Sequence, residues 1–137
     1  MKLDGKNIVI GVTGGIAAYK VCYVVSALKK SGANVFVIMT KNATEFVRPL
    51  TYETLSGNRV IVDTFDRDFE WEVEHVSLAK KADLFLVAPS TADFAGKLSG
   101  GIADDFLSTT AMAMKCPIVL APAMNTNMLT SAAYKAN

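Results

Sequence analysis

The sequence predicts an α/β fold on an open, all-parallel sheet in three layers, and three observations carry that expectation. Four short apolar runs, residues 8–12, 35–39, 84–88 and 118–121, have the near-continuous hydrophobicity of strands buried on both faces. Helical patterns separate them, and strands alternating with helices imply parallel pairing through right-handed crossovers. A turn of small residues, Gly11-Val12-Thr13-Gly14-Gly15-Ile16, joins the first strand to the first helix. A chain of 137 residues fits one domain over 1–137.

The elements follow in order. Residues 8–12 are β-branched and lead into glycines. Residues 16–30 keep a helical period, with Ile16, Tyr19, Val24, Leu28 and their neighbours on one side. Lys29 and Lys30 suit the last turn and Gly32 the exit. Residues 44–47 and 52–55 read as short helical pieces around Pro49, and 60–62 as a short strand. The acidic stretch 63–74 reads as a solvated loop and 75–81 as a short helix. Pro89 is expected to break the strand at 84–88. Residues 94–98 and 103–114 are expected to be helical.

Composition excludes several classes of function. With 51% hydrophobic and 20% charged residues, the chain has the balance of a compact core rather than a disordered tail. Fourteen basic residues against 13 acidic give a net charge of +1, and no Lys/Arg stripe suits nucleic acid. The apolar runs are too short for a signal peptide or a membrane span. Cys22 and Cys116 have neither metal-ligand spacing nor the placement of a disulfide. The expectation is a cytoplasmic protein without a metal.

Candidate site residues gather where strands end. The turn holding Thr13, Gly14, Gly15 and Ile16 could present backbone N–H groups and a helix dipole to an anion, or serve only as a tight turn. It is not G-x-G-x-x-G, and the second strand ends in Thr40-Lys41 rather than in an acidic residue for ribose hydroxyls. That pairing favours a mononucleotide such as FMN over a dinucleotide. Ser90, Thr91, Ala92 and Asp93 follow the third long strand and offer hydroxyl and backbone donors, or an ordinary helix N-cap. The last strand leads into Ala123-Met124-Asn125, where Asn125 could hold a carboxylate or cap a helix. His75, the only histidine, could titrate near neutral pH or sit on the surface.

Several of these stretches, in this order, resemble phosphopantothenoylcysteine decarboxylases of the flavin-containing cysteine decarboxylase family. The resemblance rests on residues 11–20, on Glu74-His75-Val76-Ser77-Leu78 followed by Ala82-Asp83-Leu84, and on Ala88-Pro89-Ser90-Thr91-Ala92-Asp93. Residues 101–109 and Pro122-Ala123-Met124-Asn125 extend it over essentially the whole chain. It implies a fold resembling flavodoxin and Rossmann sheets, and assembly as homotrimers or dodecamers of trimers. It also implies FMN held by Thr13 to Ile16, Thr40, Lys41, Ser90 to Asp93 and Ala123. His75 and Asn125 take catalytic roles under it, with Met124 and Asn125 at the substrate. Family members continue past the position of Asn137 into a further strand and a flap with a reactive cysteine. This sequence is therefore expected to be part of a longer protein, in some relatives one with a ligase domain.

The chemistry implied is decarboxylation of 4′-phosphopantothenoylcysteine to 4′-phosphopantetheine in coenzyme A biosynthesis. Losing carbon dioxide from a cysteine end leaves a carbanion that needs an electron sink, and oxidation of the adjacent CH₂–SH to a thioaldehyde by FMN provides it. Three other functions share this architecture: a peptidyl-cysteine decarboxylase, a flavin prenyltransferase, and a non-catalytic regulatory subunit that binds a phosphatase. The wording of residues 13–20 and 89–93 favours the coenzyme A reading over the peptide one, and His75 with the PxMN stretch disfavours the other two.

Overall fold

The computed structural model describes residues 2–62 and 77–137. The strands are β1 (Asn7–Val12), β2 (Asn34–Met39), β3 (Leu84–Ser90) and β4 (Ile118–Pro122). They form one sheet in the order β2-β1-β3-β4, and every pair is parallel. Residues 60–62, expected as a strand, contribute one parallel bridge, Ile61 to Ile38, outside β2. The helices are α1 (Val21–Lys30), α2 (Pro49–Ser56), α3 (residues 77–81), α4 (Ala92–Gly100), α5 (Phe106–Ala113), α6 (Thr126–Leu129) and α7 (Ala132–Ala136). None is long and apolar enough to cross a membrane.

Two apolar clusters flank the sheet and make the three layers. Because side chains alternate along a strand, Ile8, Ile10 and Val12 of β1 join Val21, Val25, Val35, Val37, Met39 and Tyr52 on one face. Val9 joins Ile38, Phe85, Val87, Phe94, Phe106 and Leu107 on the other. Gly11 occupies the next position on that second face. A Cβ there would meet the Leu107 side chain at 2.5 Å and the Phe85 ring at 3.2 Å, so glycine lets α5 lie close against β1.

Three expectations are corrected. The helix expected over 16–30 opens instead with a 3-10 turn, Ile16–Lys20, before α1. The turn changes the phase, because a 3-10 helix advances three residues per turn instead of 3.6. The buried residues are Ala18, Val21 and Val25, whereas Ile16, Tyr19 and Val24 are exposed. Second, β3 does not break at Pro89 but runs through it to Ser90, with an irregularity in its pairing to β4 between Val87 and Ser90. Proline has no N–H to give a ladder, but its carbonyl still accepts from Thr13 N at 3.3 Å. Third, α5 starts at Phe106 rather than 103, because Asp105 and Ser108 form a capping box that fixes its first turn. Pro49 stands in the first turn of α2, where its missing N–H costs nothing, and Gly57 ends that helix at φ 75°.

Tyr52 ties α2 to the turn before α1. It is fully buried, and its hydroxyl donates to the Ala18 carbonyl at 2.6 Å. Burial, then the neighbouring Cys22, pushes its hydroxyl pKa well above the ordinary tyrosine value. Since the folded pKa is the higher one, Tyr52 contributes stability below an unfolded pKa of about 10 and loses it as pH rises beyond that. Tyr52→Phe should lower stability at pH 8 by about 1 kcal/mol. Urea unfolding at pH 8 and at about pH 11 checks this: the parent should lose more between the two than the variant.

Candidate functional site

The strand order creates a crevice. From β1 the chain crosses to β2 on one side and later returns to β3 on the other, so the connections diverge between β1 and β3. In open parallel sheets such a divergence leaves a ligand-sized gap at the carboxyl ends of the strands. Here a cleft of about 360 Å³ opens at that point. Thr13 and Gly14 line it after β1, Thr40, Lys41 and Asn42 after β2, and Thr91 after β3. Val62, Asp93, Phe94 and Lys97 complete it with Asp104 and Asp105, which lead into α5.

Thr13 holds the two central strands together at the cleft floor. It is 1% exposed; its hydroxyl donates to the Pro89 carbonyl and accepts from Thr91 N at 3.0 Å. Its hydroxyl therefore fastens β1 to β3, and its neighbour Gly14 presents open backbone to the cleft. A Cβ on Gly14 would lie 2.7 Å from the Asn42 Cβ and 3.2 Å from the Asn42 backbone carbon. Only a residue without a side chain lets the loops after β1 and β2 meet so closely.

The hydroxyls of Thr40 and Thr91 cap local turns. Thr40 Oγ1 accepts from Ala43 N at 3.1 Å, and Thr91 Oγ1 accepts from Phe94 N at 3.2 Å as the N-cap of α4. Of the two readings left open for the Ser90-Thr91 turn, the helix N-cap is present at Thr91, and α4 directs its first-turn N–H groups towards the carboxyl end of the sheet. Ser90 differs from its neighbours. It is 1% exposed, and its Oγ is a buried polar atom with no hydrogen-bond partner among the described residues. An unpaired buried hydroxyl costs about 1–3 kcal/mol.

Opposite these donors stands a charged wall. Lys97 Nζ lies 3.2 Å from Asp93 Oδ2, 3.2 Å from Asp104 Oδ1 and 4.0 Å from Asp105 Oδ2. Partial burial opposes its charge, but the hydrogen bonds of Asp93 and Asp104 and the fields of Asp93 and Asp105 outweigh it and raise its pKa. Asp105 is itself fixed, its Oδ1 accepting from Ser108 N at 2.7 Å and from Ser108 Oγ at 2.6 Å.

Of the residues expected from sequence, the cleft collects Thr13, Gly14, Thr40, Lys41, Thr91 and Asp93. Gly15, Ile16, Ser90, Ala92 and Ala123 are not among its lining residues. Gly15 packs near the Pro89 ring, Ile16 points to solvent, and Ala123 N donates to the Ser90 carbonyl at 3.2 Å. Met124 and Asn125 stand at the end of β4, beside the cleft rather than on its lining. Asn125 is exposed and caps α6, its Oδ1 accepting from Asn127 N at 2.8 Å. His75 lies outside the described residues. Sequence reasoning missed Asn42, Phe94, Lys97, Asp104 and Asp105. The i,i+4 spacing of Asp93 and Lys97, and the Asp105–Ser108 capping spacing, were signals available for two of them, Lys97 and Asp105.

Comparison with known proteins places this architecture. The sequence profile of the family described as Flavoprotein matches residues 1–137. The chain belongs to the Flavoprotein family. It is 47% identical over 98% of its length to the coenzyme A biosynthesis bifunctional protein CoaBC of Bacillus subtilis. It is 49% identical over 93% of its length to the CoaBC protein of Haemophilus influenzae. It covers 33% and 32% of those proteins, so the chain spans about a third of the length of these relatives. Among solved flavoprotein structures, the FMN-dependent cysteine decarboxylase SpaF superposes with a TM-score of 0.88 at 32% identity, over 96% of this chain and 76% of that one. A PPC decarboxylase mutant, C175S, complexed with pantothenoylaminoethenethiol superposes with a TM-score of 0.77 at 25% identity, over 96% and 74%.

The floor of this flavoprotein cleft depends on one hydroxyl. Thr13→Val keeps the shape but leaves Thr91 N without its buried acceptor, which should cost about 1–3 kcal/mol. Chemical denaturation of the two proteins side by side measures it; an unchanged midpoint would mean that Thr13 does not hold β1 to β3.

Proposed function

We propose that this chain is the flavin-bearing part of an FMN-dependent carboxy-lyase that converts 4′-phosphopantothenoylcysteine to 4′-phosphopantetheine in coenzyme A biosynthesis. The observation that carries this reading is the 47% identity to a CoaBC protein across 98% of the chain. The likeness to a PPC decarboxylase complexed with pantothenoylaminoethenethiol also supports it.

The residues present fit a flavin mononucleotide. The backbone of Gly14, the Thr40-Lys41 loop and the first turn of α4 offer N–H donors and a cation to a phosphate. No carboxylate ends β2, where a dinucleotide site would need one for its ribose. FMN, when bound, supplies a reversible hydride acceptor, which a cysteine decarboxylation requires.

The remaining roles fall on two residues. Asn125 spends its Oδ1 on the cap of α6, so its Nδ2 donors are the part that can hold a substrate carboxylate in place without adding charge. The hydrogen bond from Ala123 N to the Ser90 carbonyl keeps Asn125 at the same sheet edge as the cleft. His75 is proposed as the proton donor and acceptor, because an imidazole titrates near neutral pH. A homotrimer or a multiple of it is part of the proposal. Exposed Ile118 and Val119 on the edge strand β4, with Tyr23 and Leu50 elsewhere, are the kind of apolar surface that assembly covers.

Two substitutions test the assignment, with carbon dioxide release and flavin occupancy measured on the same samples. Asn125→Asp keeps the cap, since a carboxylate still accepts from Asn127 N, but sets like charge against the substrate. Turnover at limiting substrate should fall on the order of a hundredfold or more with the flavin retained. His75→Asn should also retain flavin and lose roughly a hundred- to ten-thousand-fold in rate. Parent-like release by either variant removes that residue from the chemistry, and a parent without decarboxylase activity removes the function.

A further inference from the structure

We propose that Lys97 is a positioning residue for the cofactor phosphate: it holds the carboxylate wall of the cleft paired and turned away, so that an anion can enter. The inference rests on the flavin reading above and adds to it a residue that neither the turn motif nor the strand ends bring in.

The cleft poses an electrostatic conflict. Among the described residues its lining includes three carboxylates, Asp93, Asp104 and Asp105, and two ammonium groups, Lys41 and Lys97. A phosphate monoester carries about −1.5 to −2 at neutral pH, so unpaired carboxylates facing it would repel it. Lys97 contacts all three of them, within its own helix at Asp93 and across to the entry of α5 at Asp104 and Asp105. Its side chain is 22% exposed, whereas those of Asp93 and Asp104 are 74% and 57% exposed. The cation is therefore the sheltered member, and Asp93 and Asp104 are the exposed ones. Remove the cation, and of these contacts Asp93 keeps none, while Asp104 keeps only a long one, its Oδ1 accepting from Ser108 Oγ at 3.5 Å. Ser108 holds Asp105 with two short hydrogen bonds but reaches Asp104 Oδ1 only at 3.5 Å, so Asp93 and Asp104 are the groups that depend most on Lys97.

FMN and riboflavin differ only in the 5′-phosphate, which separates this role from a merely structural one. Flavin-stripped protein is titrated with each ligand, following quenching of flavin fluorescence. Lys97→Met should weaken FMN about ten- to a hundredfold, an effect that shrinks as salt rises, while riboflavin stays within about threefold of the parent. Asp104→Asn added to Lys97→Met should recover part of the FMN affinity. Asp104→Asn alone, which keeps the cation, should tighten FMN and leave riboflavin unchanged. Equal weakening of both ligands by Lys97→Met, or no change in FMN affinity for Lys97→Met and Asp104→Asn, overturns the proposal. A parent that binds riboflavin and FMN alike, or neither, overturns the flavin mononucleotide reading itself.

Discussion

The bond network at Thr13 is the constraint on which the rest of the site depends. Parallel strands need no contact beyond their ladder, and where the crossovers diverge they tend to leave a gap. The Thr13 hydroxyl bridges that gap at its base, binding the Pro89 carbonyl and the Thr91 N–H together. This fixes the end of β1 against the end of β3 and, through Thr91, the start of α4. The cleft above can therefore be open while its floor is rigid, which is the condition for binding without a large ordering cost.

Packing on the sheet's second face supports the same floor from below. Gly11 admits Leu107, and Phe85, Phe94 and Phe106 fill the layer between sheet and helices. That layer sets where α4 and α5 begin, with Asp93 in the first turn of α4, Asp105 at the N-cap of α5 and Asp104 just before it. Core and site are thus one arrangement: the aromatic packing decides where the charged wall of the cleft stands. The Lys97 ion pairs join the two helices at the cleft, across the Gly100-Gly101 turn.

Family membership and the cleft fit one another in chemical terms. A phosphate needs backbone N–H groups and a cation at a helix start, and the ends of β1, β2 and β3 bring such groups together. The proposed substrate contact at Asn125 lies on a separate strand end. Cofactor and substrate groups would then enter from neighbouring positions on one edge, with the sheet as their common support.

Much of this was legible from residue order. Apolar runs of strand length, alternating with helical patterns, determined the parallel α/β class, because only strands covered on both faces are apolar throughout. Small and hydroxylated residues at the run ends marked Thr13, Gly14, Thr40, Lys41, Thr91 and Asp93 as cleft residues, because ligands in such sheets sit at carboxyl ends. Other features needed the tertiary structure. The exposure of Ile16 and Tyr19 follows from a 3-10 turn whose phase a regular helical period does not describe. The continuation of β3 through Pro89 depends on Thr13, 76 residues away in sequence. Lys97 reads as a solvated lysine in isolation, and the carboxylates that define it come from both its own helix and the next. The sequence by itself determined the alternation of strands and helices and marked strand ends that line the cleft. Only the fold decided which charges and hydroxyls meet there, because those contacts join elements whose distance apart in space no local pattern encodes.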